Sequence, residues 1–297
     1  MSQGINRDLL ALGFSERRTL LSKGKKRKLL LDGICHVLLL TGVVIFVFPY
    51  LWMCIRAVTP TDQIFGARLI PTHLSGEHFQ QIFARGNFGR YFFNSTVVCL
   101  CTVTLGIFFD SLAGFALAKG DFPGKERLFW LIMSTMMIPI YTILVPTFII
   151  MNTFRLRDTL TGLVIPAITS ASGIFIMTQN IKTVPDSFLE AAQMDGASLF
   201  QIYLHIVLPT VRPALGALCI VRFLASWNSY LIPLIMIGDD AKKTLPLGLT
   251  TLFYQHGLVK WGALMAGSLV ATIPLIVLFL IMQKQFISGI VLGSTKE

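Results

Sequence analysis

Val184-Pro185-Asp186-Ser187-Phe188-Leu189-Glu190-Ala191-Ala192-Gln193-Met194-Asp195-Gly196-Ala197-Ser198, running on to Leu208-Pro209, is a polar stretch set between two very hydrophobic segments. Its local chemistry spells two short helices meeting at a bend. Pro185 can open the first helix, because its fixed φ suits the first helical turn. Ser187-x-x-Glu190 has the spacing of a capping box, in which serine and glutamate each satisfy an orphan backbone N–H. Asp195-Gly196 can stop that helix, since glycine accepts the left-handed conformation that side chains resist. Ser198-x-x-Gln201 repeats the capping-box spacing and starts a second helix, which Pro209 ends or kinks. A helix–bend–helix knob between apolar segments is a shape for docking onto a soluble partner.

The flanking segments set the fold class. Hydrophobic residues make up 54% of the 297 and charged residues 13%, against about 25% charged in a soluble domain; mean hydropathy is +0.70. Four charge-free runs, Gly33–Ile55, Leu128–Phe154, Thr159–Ile181 and Trp261–Gln283, are each long enough to cross a bilayer, which takes about 20 residues. Tyr91–Ala118 carries only Asp110, and Pro213–Gly238 only Arg222. The expectation is an all-α, polytopic membrane protein with six transmembrane helices and cytoplasmic coupling helices. Three regions follow: a basic N-terminal segment (1–29), a transmembrane domain (30–288, with its loop at about 184–209) and a C-terminal tail (289–297).

Six spans put both termini on one side. Making that side cytoplasmic gathers Lys23, Lys25, Lys26, Arg27 and Lys28 there, with Lys119, Lys125, Arg127, Lys182 and Arg212 from the internal loops. The positive-inside bias therefore places both termini and the 184–209 loop in the cytoplasm. The net charge of +10 needs no nucleic acid, because Lys23–Lys28 abuts a span, where topology and anionic lipid explain it. The apolar run near the N-terminus is too long, and lacks the small-residue site, for a cleavable signal.

Cys35, Cys54, Cys99, Cys101 and Cys219 all fall in apolar segments, an odd number without Cys-x-x-Cys spacing; they read as small apolar residues rather than disulfides or metal ligands. The five histidines are scattered. No phosphate-binding loop is present: Gly238-Asp239-Asp240-Ala241-Lys242-Lys243-Thr244 lacks the second glycine. No catalytic constellation is legible, so ATP-driven work would need another chain. In the longest outer loop, Phe79, Ile82 and Phe83 at i, i+3 and i+4 predict a short amphipathic helix near Glu77–Arg85, on a membrane surface or facing a partner.

Glu190-Ala191-Ala192, then Gly196, then Ile206-Val207-Leu208-Pro209 resembles the motif of inner-membrane permease subunits of binding-protein-dependent ABC importers. Phe122-Pro123-Gly124-Lys125, Pro139, Pro146, Trp227-Asn228, Pro233 and Thr244-Leu245-Pro246-Leu247-Gly248-Leu249 are similar to the maltose-type, carbohydrate-importing branch. The end, Gln283-Lys284-Gln285-Phe286-Ile287-Ser288-Gly289-Ile290-Val291-Leu292-Gly293-Ser294, is similar to that of the branch's second permease subunit, and the resemblance runs from about Gly33 onward.

It implies alternating access in a bacterial inner membrane, with an ATPase-coupling role for Glu190, Ala191, Ala192, Asp195, Gly196, Leu208 and Pro209. The tail residues Gln283, Phe286, Gly289 and Gly293 would reach toward the ATPase interface. It also implies a heterodimer with a second permease, two ATPase subunits holding ATP and Mg, an extracytoplasmic solute-binding protein, and no cofactor on this chain.

Asp110 and Arg222 depart from the family, and an ionisable group inside a span calls for a partner. They pair with each other or with a partner subunit, or Arg222 meets an anionic part of the substrate; in the last case an acidic sugar or sugar phosphate is favoured. With Trp227, Asn228 and Tyr230 they are the candidate translocation pathway. Glu190 as a mere cap, and the prolines and the Gly262/Ala266 and Ala263/Gly267 pairs as packing devices, are the plainer readings. The alternative function is a stand-alone secondary transporter driven by an ion gradient.

Overall fold

The structure is a computed structural model. It describes residues 14–66, 68–84, 87–252, 254–255 and 258–294. Two units are distinct, Met1–Ile55 and Arg56–Glu297. Helix α1 (Phe14–Ala57) runs unbroken through Pro49, so the part of the basic segment that is described is already helical.

The second unit is built around α3 (Phe88–Lys119), whose 32 residues span about 48 Å. Helices α7 (Ala171–Lys182) and α11 (Arg212–Trp227) pack along it. Glycines permit the closest approach: a Cβ on Gly114 would stand 2.6 Å from Met177 Cβ. Helix α2 (Glu77–Ala84) occupies the predicted amphipathic stretch; Ile82 and Phe79 pack against its own chain, while Phe83 is exposed. Ile82 and His78 are buried, and α2 lies on the start of α14 (Trp261–Ser294), where Gly262 leaves room for the imidazole. Ala263 and Ala266 are buried in that packing.

Three helices are long and apolar enough to cross a membrane unbroken: Leu30–Ala57, Phe88–Lys119 and Trp261–Gln283. Three more spans are bent pairs, giving up to six. The run Leu128–Phe154, expected as one span, is α4 (Lys125–Ser134) and α5 (Ile140–Thr153), with Lys125–Met137 and Ile140–Thr153 at 104° to each other. Proline explains the break: Pro139 lacks an N–H and drives Ile138 into extended conformation (φ −82°, ψ 117°). Around Pro166, Leu160–Ala167, which begins with α6 (Leu160–Val164), meets Ala171–Lys182 at 43°. The fifth run, Pro213–Gly238, is likewise not one helix. Helix α11 ends at Trp227, and a short α12 (Leu231–Met236) follows a break.

Helix α13 (Leu245–Leu252) and a two-residue antiparallel ladder, Tyr254–Gln255 with Leu258–Val259, precede α14; that ladder is the one β element among the described residues. Helix α14 continues to Ser294, so Gly289 and Gly293 are helical rather than extended. The side chains of residues 284–294, Phe286 included, lie outside those described.

Candidate functional site

The 184–209 loop forms the predicted helix–bend–helix. Helix α8 (Asp186–Met194) ends at Asp195, and Gly196 takes φ +82°. Ala197 N donates to Ala192 O (3.0 Å) and Gly196 N to Gln193 O (3.0 Å), the paired bonds of a Schellman stop. Ser198 then caps α9 (Leu199–Ile202) through a complete capping box with Gln201. The first capping box does not form. Pro185 itself takes the N-cap position, two residues before Ser187, and no side chain caps α8. Glu190 is left exposed, as are Ala191, Asp195 and Gly196.

Beyond α9 the chain widens into a π-turn (Tyr203–Val207) before α10 (Leu208–Thr210), and the sharp bend, 83°, falls at Val211 rather than at Pro209. A widened turn is a way to absorb the proline, whose ring crowds the carbonyl four residues back.

The knob is anchored from within. Leu189, Ile202, Tyr203 and Val207 are buried with Phe115 of α3 and Met177 of α7. Ser111 Oγ and Tyr203 Oη share a buried hydrogen bond of 2.7 Å. Lys119, at the end of α3, donates to Val184 O (2.6 Å) and Asp186 (2.7 Å). The outward surface carries apolar groups among polar ones: Phe188, Met194, Leu199 and Phe200 are all exposed, Met194 at 88%, beside Glu190 and Asp195.

Deeper in α3 the two intramembrane charges meet. Arg222 Nε donates to Asp110 Oδ2 at 2.9 Å, and Nη2 contacts the same oxygen. Arg222 Nη1 donates to Ala167 O (2.6 Å) and Nη2 to Ser170 Oγ (3.2 Å), while Ser170 N donates to Asp110 Oδ1 (3.0 Å). The pair thus clasps the break between α6 and α7 to α3 and α11. Gly106 and Gly173 make room, since a Cβ on Gly173 would fall 1.7 Å from Asp110 Oδ2.

The other pathway candidates are not gathered there. Trp227 is buried in packing, stacked on Phe223 (5.7 Å), with its indole N–H on Ala271 O (3.1 Å). Asn228 is exposed and bonds back to Leu224 O (3.0 Å), and Tyr230 packs with Met236 and Leu163. Ser170, Ser111 and Tyr203 carry contacts that no sequence spacing announces. Among the described residues no group of three or more His, Cys, Asp or Glu could hold a metal.

A family model for the binding-protein-dependent transport system inner membrane component matches residues 103–291. The arabinooligosaccharides transport system permease protein AraQ of Bacillus subtilis (strain 168) is 34% identical over 257 residues, covering 85% of this chain and 91% of the relative. The sn-glycerol-3-phosphate transport system permease protein UgpE of Yersinia pestis is 32% identical over 272 residues, with 88% and 96% covered. The lactose transport system permease protein LacG of Rhizobium radiobacter is 30% identical over 270 residues, with 91% and 98% covered. In fold, the chain is similar to one in the crystal structure of a bacterial ABC transporter involved in the import of the acidic polysaccharide alginate (TM-score 0.79, 20% identity, 86% of this chain and 96% of the other).

Proposed function

Because the chain belongs to the binding-protein-dependent transport system inner membrane component family, we propose that it couples ATP hydrolysis on a partner to sugar import through the knob at 184–209. It is a permease component of a carbohydrate-type ABC importer. In the proposed assembly this chain is the second of two permease subunits. Two ATPase subunits hold ATP and Mg, an extracytoplasmic binding protein delivers the solute, and both termini and the knob face the cytoplasm. The tail from Gln283 is proposed to reach the ATPases as a helix.

One observation carries the coupling role. The knob presents exposed Phe188, Met194, Leu199 and Phe200 beside Glu190, on a base buried against α3, α7 and α11. Apolar groups held outward on a rigid base suit a protein cleft, and movement of that base must move three spans together. Alternating access then follows from ATP-driven displacement of the knob.

The test is co-purification with a co-expressed ATPase and partner permease. Gly196→Val places a β-branched residue at φ +82°, which costs about 1–2 kcal/mol at one residue. The variant is expected to reach the membrane at normal level while its ATP-dependent uptake falls at least tenfold. Normal uptake by Gly196→Val would remove the bend from the coupling mechanism.

A further inference from the structure

Three residues of α3 that meet the knob lie at i, i+4 and i+8: Ser111, Phe115 and Lys119. That spacing sets them in one row along a helix face, with about 12 Å between the first and the last. The row reads hydroxyl, aromatic ring, ammonium. Ser111 Oγ meets Tyr203 Oη in the π-turn that closes the knob, and Phe115 lies against the same tyrosine ring, centroids 5.6 Å apart. Lys119 reaches the other arm, where α7 gives way to α8.

A lysine in the last turn of a helix ordinarily serves the carbonyls and the negative dipole end there. Lys119 does something else. Gly120 O, just past α3, accepts from Lys125 Nζ (2.8 Å). The Lys119 side chain is 7% exposed, and its ammonium donates across to Val184 O (2.6 Å) and Asp186 Oδ1 (2.7 Å). A cation so far out of water is stable there because those bonds are made. Val184 is buried and stands before Pro185, where helical backbone is disfavoured. Lys119 therefore grips the corner between α7 and α8.

These two links differ in kind from the packing around them. Leu189, Ile202 and Val207 share a buried cluster with Phe115 and Met177, but apolar burial is non-directional, so such surfaces can slide or pivot. Hydrogen bonds hold a distance and an angle. One bonded point leaves the knob free to pivot about it. Two points about 12 Å apart on one helix remove that freedom.

We infer that Lys119 and Tyr203 are positioning residues that fasten the knob to α3 at two points, so that a tilt of the knob turns α3 instead of being lost as a pivot. This rests on the coupling role proposed for the knob and adds the residues through which its motion leaves.

The experiment is a pulsed EPR distance within this chain, in the co-purified permease–ATPase complex in nanodiscs, without nucleotide and with ATP and vanadate. Spin labels sit at Leu100→Cys on α3 and Gln193→Cys on α8, both exposed, in a chain whose five native cysteines are alanine. With both links present, one narrow distance is expected, the same in the two states. Lys119→Met keeps the stem and drops the ammonium, and Asp186, 74% exposed, stays in water. In that variant the distance should differ between the two states by at least about 2 Å, the scale of helix shifts in such transitions. Lys119→Arg should restore the narrow distance. Tyr203→Phe, which keeps the ring and loses only the hydroxyl, should show the same nucleotide-dependent change more weakly. A distance in Lys119→Met and Tyr203→Phe as narrow and unmoved as in the parent overturns the inference. So does broadening that is identical with and without ATP, which would make both links static staples. Either result leaves the coupling role of the knob standing; failure of any ATPase to co-purify with the wild-type chain would remove that role, and this inference with it.

Discussion

Two aspartates in this molecule are built alike and live in different solvents. Asp110 takes a loop amide (Ser170 N) and a cation (Arg222) within the span. Asp158, at the opposite end of the bundle from the knob, takes the amides of Gly238 (3.1 Å) and Asp239 (3.0 Å) and the ammonium of Lys242 (3.2 Å). The Asp110 and Arg222 side chains are 0% and 8% exposed, those of Asp158 and Lys242 35% and 43%. Each aspartate ties a loop to a helix, yet water can replace every partner of Asp158 and none of Asp110. The same bonds are a fixed constraint in one place and a replaceable clasp in the other.

The sharpest way to break that contrast is Asp110→Ala. It strands a buried guanidinium, a loss of about 3–5 kcal/mol, so membrane protein level should fall severely. Asp110→Ala combined with Arg222→Leu should recover much of it, because no charge is then left unpaired. A single variant at full level would mean that the buried pair is as dispensable as the exposed one. Gly173→Val comes next: its Cβ must displace the Asp110 carboxylate, at about 1–3 kcal/mol, read as faster thermal inactivation of the detergent-solubilised protein. A wild-type inactivation rate would show that the clasp has slack.

The smallest effect belongs to Asp158→Asn. The Asp239 amide first, then Lys242 and Gly238, hold the Asp158 carboxyl below the usual carboxylate range against opposing burial. Lys242 is raised, chiefly by its hydrogen bond to Asp158. The aspartate's contribution is therefore present above the unfolded carboxylate value of about 3.9 and disappears as pH falls through the lowered folded one. The lysine's is present below about 10.4 and disappears as pH rises through its raised value. Between about pH 5 and 9 the clasp should be constant and weakened by salt. Asp158→Asn should unfold at nearly the wild-type temperature at pH 7, and indistinguishably in 1 M salt. A deficit matching Asp110→Ala would erase the distinction between the two sites.

What the sequence disclosed follows the range of the forces involved. Gly196 and the Ser198–Gln201 capping box were readable because each is decided within four residues. The Ser187–Glu190 box has the same spacing but loses to Pro185, two residues earlier, so local signals compete and only the structure names the winner. Hydropathy located the apolar runs yet was blind to Ile138-Pro139, because the residues on both sides of that break are apolar and leave no polar gap in the sequence. Trp227 and Asn228 stood out by residue type, but their roles were set by Phe223, Ala271 and Leu224.

Asp110 and Ser111 are neighbours in the chain, yet one belongs to the clasp with Arg222 and the other to the hydroxyl bond with Tyr203 at the root of the knob. A helix rotates about 100° per residue, so α3 presents one residue to each region at the same height. If the knob docks a partner as proposed, α3 is in thermodynamic terms an element shared between that docking equilibrium and any binding beside the clasp. If occupying the knob changes the affinity beside the clasp by some factor, a ligand bound there must change the knob's affinity for its partner by that same factor. Under that condition, binding beside the clasp and docking at the knob would be one equilibrium written from its two ends.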